Sequence, residues 1–231
     1  IYMILGKFMS KNHNIVSKTV YFSLLVQIIT TLVSIQGITY KLKPKDNVLT
    51  DILILETVVQ IVEAVFYIWV IFALSNLSVM SSRRYYDWFI TTPIMLLTTI
   101  IFMEYKKHPD KIITLKNFIN ENKKNIILLF FTNFFMLVFG LLNETKILSK
   151  IIAIPFGILF FLYGFYIIYE RYAKYTELGK KLFLFLFIVW GLYGVAACFN
   201  DTYKNTMYNC LDIVSKNFYG LYIYYYIRNL L

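Results

Sequence analysis

A lysine, Lys216, stands in the middle of the apolar segment that runs almost to the end of this 231-residue chain. A charged amine at the centre of a membrane helix costs roughly 2.5–3.5 kcal/mol on insertion scales, so such residues are rare and usually functional. Asp212 precedes it by four residues, one turn away on the same helical face. A second carboxylate, Asp87, follows Arg84 by three residues in an equally apolar stretch. The four side chains predict a charged centre inside a membrane bundle.

Two explanations fit such a centre. Burial disfavours the charged form of an amine, and the neutral form of Lys216 is a nucleophile that attacks an aldehyde. The alternative is an ion-pair network that locks helices together. Buried networks of this kind are often no more stabilising than well-packed apolar residues, which weakens the second explanation.

Composition gives the elements that must position these groups. Hydrophobic residues make up 59% of the chain and the mean hydropathy is +0.62, as in a protein that crosses the membrane several times. Seven segments are long and apolar enough to cross a bilayer: 14–37, 49–75, 80–103, 124–143, 147–170, 179–200 and 203–229. We therefore predict an all-α membrane protein, a seven-transmembrane-helix bundle that forms one domain over residues 1–231.

The distribution of basic residues predicts the orientation. The net charge is +10, and most of the excess falls on the side that is cytoplasmic if the N-terminus is outside. The positive-inside rule then predicts an outer N-terminus and an inner C-terminus, and it accounts for the charge with the lipid bilayer as partner and no nucleic acid. The inner basic residues are Lys41, Lys43, Lys45, Lys106, Lys107, Lys111, Lys116, Lys123, Lys124, Arg171, Lys174, Lys180, Lys181 and Arg228.

The two cysteines, Cys198 and Cys210, both fall in apolar runs, so we expect free buried thiols, although a disulfide stays open. No cysteine and histidine spacing suggests a metal, and no arrangement of residues suggests an enzyme.

Two motifs carry the resemblance of this chain to a known family. They are Arg84-Tyr-x-Asp87-Trp88-x-x-Thr91-Thr92-Pro93 and Leu211-Asp212-x-x-x-Lys216. Together they resemble a microbial rhodopsin over all seven helices. The resemblance implies all-trans-retinal bound to Lys216 as a Schiff base, which makes the chain a photoreceptor. It also implies a counterion complex that consists of Asp87, Asp212, Arg84, Tyr67 and Thr91.

The same resemblance implies a pocket for the chromophore between two tryptophans. Its predicted lining is Trp88, Thr92, Met95, Met136, Gly140, Trp190 and Tyr193. Gly194 departs from the pattern, because many relatives have proline after that tyrosine.

A further position bears on whether the protein pumps protons. Outward-pumping relatives often carry a carboxylate about three turns inward of the counterion, where this chain has Thr98. On the other side, Asp201 and Lys204 do not form a pair of acids. Both observations disfavour an outward proton pump, which stays an alternative because some threonine-bearing relatives still pump.

Three helices carry polar stripes at helical spacing, which indicate a hydrated route between them. Hydrogen bonding between helices without permeation is the alternative, but two glutamates seven residues apart weigh against it. The stripes consist of Ser23, Gln27, Thr30 or Thr31, and Ser34 on the first helix, Glu56, Gln60, Glu63 and Tyr67 on the second, and Asn205, Asn209, Asp212 and Lys216 on the seventh, with Asn217 adjacent.

These stripes are similar to those of channelrhodopsins, and most of all to the group-one viral rhodopsins of giant algal viruses, which are described as light-gated cation channels. The resemblance implies a channel for small cations or protons in a host cell membrane. A pump is the second reading and a sensory photoreceptor the third, and a homo-oligomer stays open.

The channel reading assigns the polar residues to three constrictions. Glu63, with Ser23 and Asn217, is expected at the level of the Schiff base. Glu56, with Gln60, is expected about 10 Å further inward at 1.5 Å per residue. Arg84, with Asn205 or Asn209, is expected to close the outer side. Acidic side chains along the route attract cations and repel anions.

Overall fold

The computed structural model describes the backbone of residues 2–231 and the side chains of residues 14–231. The described residues form seven long helices and no strand, which confirms the predicted all-α bundle. The helices are α1 (Tyr2–Ile38), α2 (Asn47–Ile71), α3 (Leu77–Lys107), α4 (Leu115–Glu144), α5 (Lys150–Arg171), α6 (Glu177–Ala196) and α7 (201–228). Two short 3-10 turns, Pro44–Asp46 and Ala173–Tyr175, lie in the connections before α2 and α6.

The seventh helix has an internal irregularity. It begins as an α-helix at Asp201–Asp212, passes through a π-helical turn at Ile213–Asn217, and ends as an α-helix at Phe218–Arg228. A π turn inside an α-helix is rare and frequently marks a functional site. Here it contains Lys216.

Six helices of the described part, α1 to α6, are long and apolar enough to cross a membrane, so the chain is an integral membrane protein. The helix α7 is not among the six, although its segment was predicted as an apolar span. Its first part is too polar because it contains Asp201, Lys204, Asn205, Asn209 and Asp212.

The helix bounds differ from the predicted spans where polar residues extend a helix beyond its apolar part. The helix α1 begins at Tyr2 and not at residue 14, and α4 begins at Leu115 and not at residue 124. Thr114 caps this helix, because its hydroxyl accepts a hydrogen bond from the Asn117 backbone amide at 3.3 Å. Lysines can occupy the helical turns before residue 124, because backbone hydrogen bonds define a helix. A membrane span must in addition be apolar. The predicted ends of the second and sixth helices are four residues too late, at 75 and 200 in place of Ile71 and Ala196.

The helices form a closed ring in which each packs on its neighbour in the chain and α7 returns to α1. The helix α7 also contacts α2 and α3, so it faces the middle of the bundle. The buried polar side chains therefore collect where α1, α2, α3 and α7 meet, while α4, α5 and α6 turn many phenylalanines and tyrosines to each other and to the lipid.

The prediction for the cysteines is half right. Cys198 and Cys210 are both free, but both are exposed on the surface of the bundle and not buried. An apolar run of residues does not distinguish a side chain in the core from one that faces lipid, since lipid tails are as apolar as the core.

Candidate functional site

The side chain of Lys216 reaches the centre of the bundle, where three carboxylates surround its amine. Its Nζ lies 2.5 Å from Asp87 Oδ2 on α3, 3.1 Å from Glu63 Oε1 on α2, and 3.7 Å from Asp212 Oδ1 on its own helix. Lys216 is 1% exposed and the three acids are buried as well. One amine thus shares its charge with acids from three helices.

Asp212 is held mainly by groups other than the lysine. Its Oδ2 accepts hydrogen bonds from Arg84 Nη1 at 2.9 Å and from the Tyr67 hydroxyl at 2.8 Å. Its Oδ1 accepts a hydrogen bond from the Tyr193 hydroxyl at 2.8 Å. Tyr193, which the sequence assigned only to the pocket lining, therefore also belongs to the acid network, and its hydroxyl lies 2.8 Å from Ser215 Oγ.

Asp87 has fewer partners. Its Oδ2 contacts Lys216, and its Oδ1 has no hydrogen-bond partner among the described side chains. Thr91, which was expected to complete the acid network, donates its hydroxyl to the backbone oxygen of Asp87 at 3.0 Å and not to the carboxylate.

Arg84 connects the acids to a layer of asparagines toward the Asn76 end of the bundle. Its Nε donates to Asn205 Oδ1 at 3.3 Å, and its Nη2 donates to Asn209 Oδ1. The structure therefore places both predicted partners of Arg84 beside it. Sequence reasoning missed two members of this layer, which hold the asparagine amides: Ser81 Oγ at 2.9 Å from Asn205 Nδ2, and Thr19 Oγ1 at 2.8 Å from Asn209 Nδ2.

Aromatic rings cover the other side of the acid network. Trp88 makes edge contacts with Tyr85, Tyr193 and Tyr208, whose ring centroids lie 4.9, 5.4 and 5.1 Å away. Gly140 allows this packing, because a Cβ there would lie 2.6 Å from the Tyr85 hydroxyl oxygen. Tyr85 and Tyr208 were not predicted as site residues.

Beyond Trp88, a small cavity lies between α3, α4, α5 and α6. Its lining is mostly apolar and includes Leu96, Met136, Phe161 and Trp190. Asn133 also lines it, and its Nδ2 donates to Thr92 Oγ1 at 2.8 Å. The sequence gives no signal for Asn133, because the residues three and four positions away from it are all apolar.

A second group of polar side chains extends from Lys216 toward the other end of the bundle, between α1, α2 and α7. Many of their atoms have no hydrogen-bond partner among the described residues. Thr98 on α3 donates its hydroxyl to Glu56 Oε1, but Glu56 Oε2 is unpaired. The other side chains of this group with buried atoms that have no hydrogen-bond partner are those of Gln27, Ser34, Gln60, Glu63, Asn217 and Tyr219.

Comparison with known proteins identifies the family. The family described as bacteriorhodopsin-like protein matches residues 18–230, which is nearly the whole chain. The chain belongs to this bacteriorhodopsin-like family. A comparison with curated protein sequences found no match.

Solved structures of bacteriorhodopsin-like proteins share the fold. The viral rhodopsin OLPVRII superposes with a TM-score of 0.83 at 26% identity, over 94% of this chain and 99% of that one. The rhodopsin of Exiguobacterium sibiricum gives 0.75 at 17% identity, over 94% and 96% of the two chains. The light-driven proton pump LR (Mac) from Leptosphaeria maculans gives 0.68 at 14% identity, over 94% and 97%.

The family implies a retinal chromophore, and the residues of this chain fit one. A buried amine is available for a covalent link, and the acids beside it match the positive charge that the nitrogen would carry. The rings of Trp88 and Trp190 and the apolar cavity beyond them suit a flat apolar group. Met95 is buried, and Met136 lines the cavity.

The predicted central constriction of this bacteriorhodopsin-like chain is less connected than expected. Its three members lie on neighbouring helices, but none bonds to another. Ser23 donates to the Asn209 backbone oxygen at 3.0 Å, Asn217 Oδ1 accepts from Thr30, and Glu63 contacts Lys216. All three side chains are buried, and each contacts a group outside the predicted constriction.

Proposed function

We propose that this chain is a light-gated cation channel, with retinal bound to Lys216 and an ion pathway between α1, α2, α3 and α7. The observation that carries the proposal is the group of unpaired buried polar atoms that extends from Lys216 to Glu56. We assign to this pathway eight buried polar side chains: Ser23, Gln27, Glu56, Gln60, Glu63, Asn205, Asn209 and Asn217.

Unpaired polar atoms support a hydrated route for a physical reason. A buried donor or acceptor without a partner costs about 1–3 kcal/mol, and natural proteins contain few of them. Gln27 and Gln60 each leave both amide atoms unpaired within the described residues. Water is the partner that satisfies such atoms most simply, and a chain of waters between three helices is a route for ions.

The charges along this route favour cations. Glu56 and Glu63 are its acidic side chains, and acids concentrate cations and repel anions. Two contacts close the route. Arg84 blocks it at one end, with Asn205 and Asn209, and the hydrogen bond from Thr98 to Glu56 blocks it at the other.

The residues around Lys216 couple the absorption of light to this route. Retinal, when bound, supplies the absorption of light and a change of shape. Lys216 holds positive charge against Asp87 and Glu63, and Asp212 holds Arg84 and two tyrosines. A displacement of the Lys216 nitrogen therefore changes the partners of α2 and α3 together, and both helices line the route.

We propose that the N-terminus is outside and the C-terminus inside. The connections at the Lys43 end of the bundle, with the end of α7, carry most of the basic residues, and such residues concentrate on the cytoplasmic side. Arg84 then closes the outer side and Glu56 the inner side.

An outward proton pump is the second candidate, and one contact favours it. On α3 the position expected for an internal proton donor is Thr98, but Thr98 bonds to Glu56. A buried carboxylate therefore does lie at this level, although α2 and not α3 supplies it. Glu56 is in a position to return a proton to the central site.

Photocurrents under voltage clamp distinguish the two candidates. A channel current reverses sign, and replacing nine-tenths of the permeant cation on one side shifts the reversal by up to about 60 mV, since a tenfold gradient is worth about 1.4 kcal/mol and 100 mV about 2.3 kcal/mol per charge. A pump current stays outward across about −100 to +100 mV. Lys216→Ala, which removes the proposed attachment site, is the control and should give no light-dependent current. A current that never reverses would contradict the channel proposal and support the proton pump.

A further inference from the structure

The centre of the bundle contains more charged groups than one amine with two aspartate counterions. Five charged side chains are buried together: Arg84, Lys216, Glu63, Asp87 and Asp212. They are two cations and three acids. The resemblance to microbial rhodopsins named only the two aspartates as counterions, and it placed Glu63 in the ion pathway.

The distances divide the acids differently. Asp212 is 3.7 Å from the Lys216 amine, and its two oxygens accept three hydrogen bonds, from Arg84, Tyr67 and Tyr193. Asp212 is therefore the acid that balances Arg84. The amine has two closer acids, Asp87 at 2.5 Å and Glu63 at 3.1 Å.

Glu63, like Asp87, depends on Lys216 more than Asp212 does. Neither of its oxygens has another hydrogen-bond partner among the described side chains, and Glu63 is fully buried. An ionised carboxylate in that position is costly unless a cation compensates it. Lys216 is the cation within reach.

We propose that Glu63 is a third counterion, a direct ionic partner of the Lys216 nitrogen, so that one carboxylate belongs both to the retinal site and to the ion pathway. The second part of this inference rests on the proposed channel. The shared carboxylate would couple the retinal site to the ion pathway directly, because any change of charge or position at the Lys216 nitrogen acts on Glu63, a residue of the pathway.

The surroundings of Glu63 define what else can affect its charge. The helix α7 presents Lys216 and Asp212, the helix α3 presents Asp87, and Tyr67 lies one turn along α2. The buried polar side chains on the described part of α1 are uncharged: Ser23, Gln27, Thr30 and Ser34.

The test is a pH titration of the visible absorption band of the purified pigment, which does not measure transport. Removing an acid beside a cation makes the cation lose its proton at lower pH. Glu63→Gln should therefore move the alkaline loss of the band to lower pH by about one unit or more. Glu56→Gln is the matched comparison, since Glu56 is as buried, lies on the same helix and bonds to Thr98 in place of Lys216.

The outcomes decide the inference separately from the channel. A Glu63→Gln midpoint at least one unit below that of Glu56→Gln supports the third counterion, whatever the photocurrent does. Equal midpoints for the two variants overturn it. If Glu63→Gln does not assemble a pigment, Glu63→Asp keeps the charge on a shorter side chain. It should then retain the band with a shifted maximum, and an unshifted maximum and midpoint would contradict the inference.

Discussion

At the residue scale, the site shows how one charge is shared in an apolar surrounding. Lys216 and Arg84 each have a preferred acid, Asp87 and Asp212 respectively, and the tyrosines that bond to Asp212 keep it with Arg84. The two acids are therefore not equivalent. Asp87 can move with Lys216, since its Oδ1 has no hydrogen-bond partner in the described part of the chain and its Oδ2 contacts the lysine.

Asp87→Asn tests this difference. Removing the acid 2.5 Å from the amine should shift the visible band to longer wavelength, or abolish it near neutral pH, because the positive charge at the nitrogen loses its nearest partner. Absorption spectra over a pH series measure both effects. Asp87→Glu keeps the charge and should stay closer to the unchanged protein. Identical spectra and titrations for Asp87→Asn and the unchanged protein would exclude a counterion role.

At the element scale, the packing of α7 on α2 depends on a glycine one turn after Lys216. A Cβ at Gly220 would overlap the Gln60 amide nitrogen Nε2. Gln60 is buried, and its amide atoms have no partner among the described residues. Gly220 therefore sets where the Gln60 amide lies in the proposed pathway.

Gly220→Ala should move the Gln60 side chain without touching the acids around Lys216. We expect a severalfold lower photocurrent per pigment, or altered selectivity among cations, with an unchanged absorption maximum. Gly194→Ala is the control, because a Cβ there meets no atom within 4 Å. Equal photocurrents from the two variants would show that Gln60 does not limit the pathway.

At the scale of the whole molecule, a buried ion pair joins two helices that are distant in the chain. Lys204 on α7 contacts both oxygens of Glu144 at the end of α4, at 2.9 and 2.7 Å, and Asp201 at 2.9 Å. Both members of the pair with Glu144 are nearly inaccessible. The pair connects α4 to α7, which are not neighbours in the ring of helices, at the end opposite to the C-terminus of α7.

Glu144→Gln should lower the temperature at which the pigment bleaches. Breaking a buried pair on one side costs about 3–5 kcal/mol, and we expect less here because Asp201 remains beside Lys204. Glu121→Gln removes an acid from an exposed pair with Lys111, which is worth about 0–1 kcal/mol, and serves as the control. Equal bleaching temperatures for both variants would show that the buried pair adds no stability.

The sequence predicts the bundle well because each helix needs a long apolar segment, and such segments are visible in one chain. It also selects Lys216, Asp87 and Asp212, since charges are conspicuous in apolar runs. Spacing alone does not give partners between helices, because it assigns a residue to a face and not to a neighbour. The grouping of Asp87 with Lys216, and of Arg84 with Asn205 or Asn209, came from the family resemblance. The contact of Glu63 with Lys216 and the pair of Glu144 with Lys204 both join distant parts of the chain, and neither was predicted.

The π turn has a consequence for how this protein can change over evolution. Each residue of an α-helix advances the chain by about 100°, and a π turn accommodates one residue more than an α-helical turn. Deleting one residue between Asp212 and Phe218 would convert the π turn into an α-helical turn. The flanking segments Asp201–Asp212 and Phe218–Arg228 would keep their orientation, but the residues within the turn, Lys216 among them, would rotate relative to Asp87 and Glu63. Insertions and deletions should therefore be tolerated in the loops of this chain and eliminated from these few positions, where the length of the backbone sets the direction of Lys216.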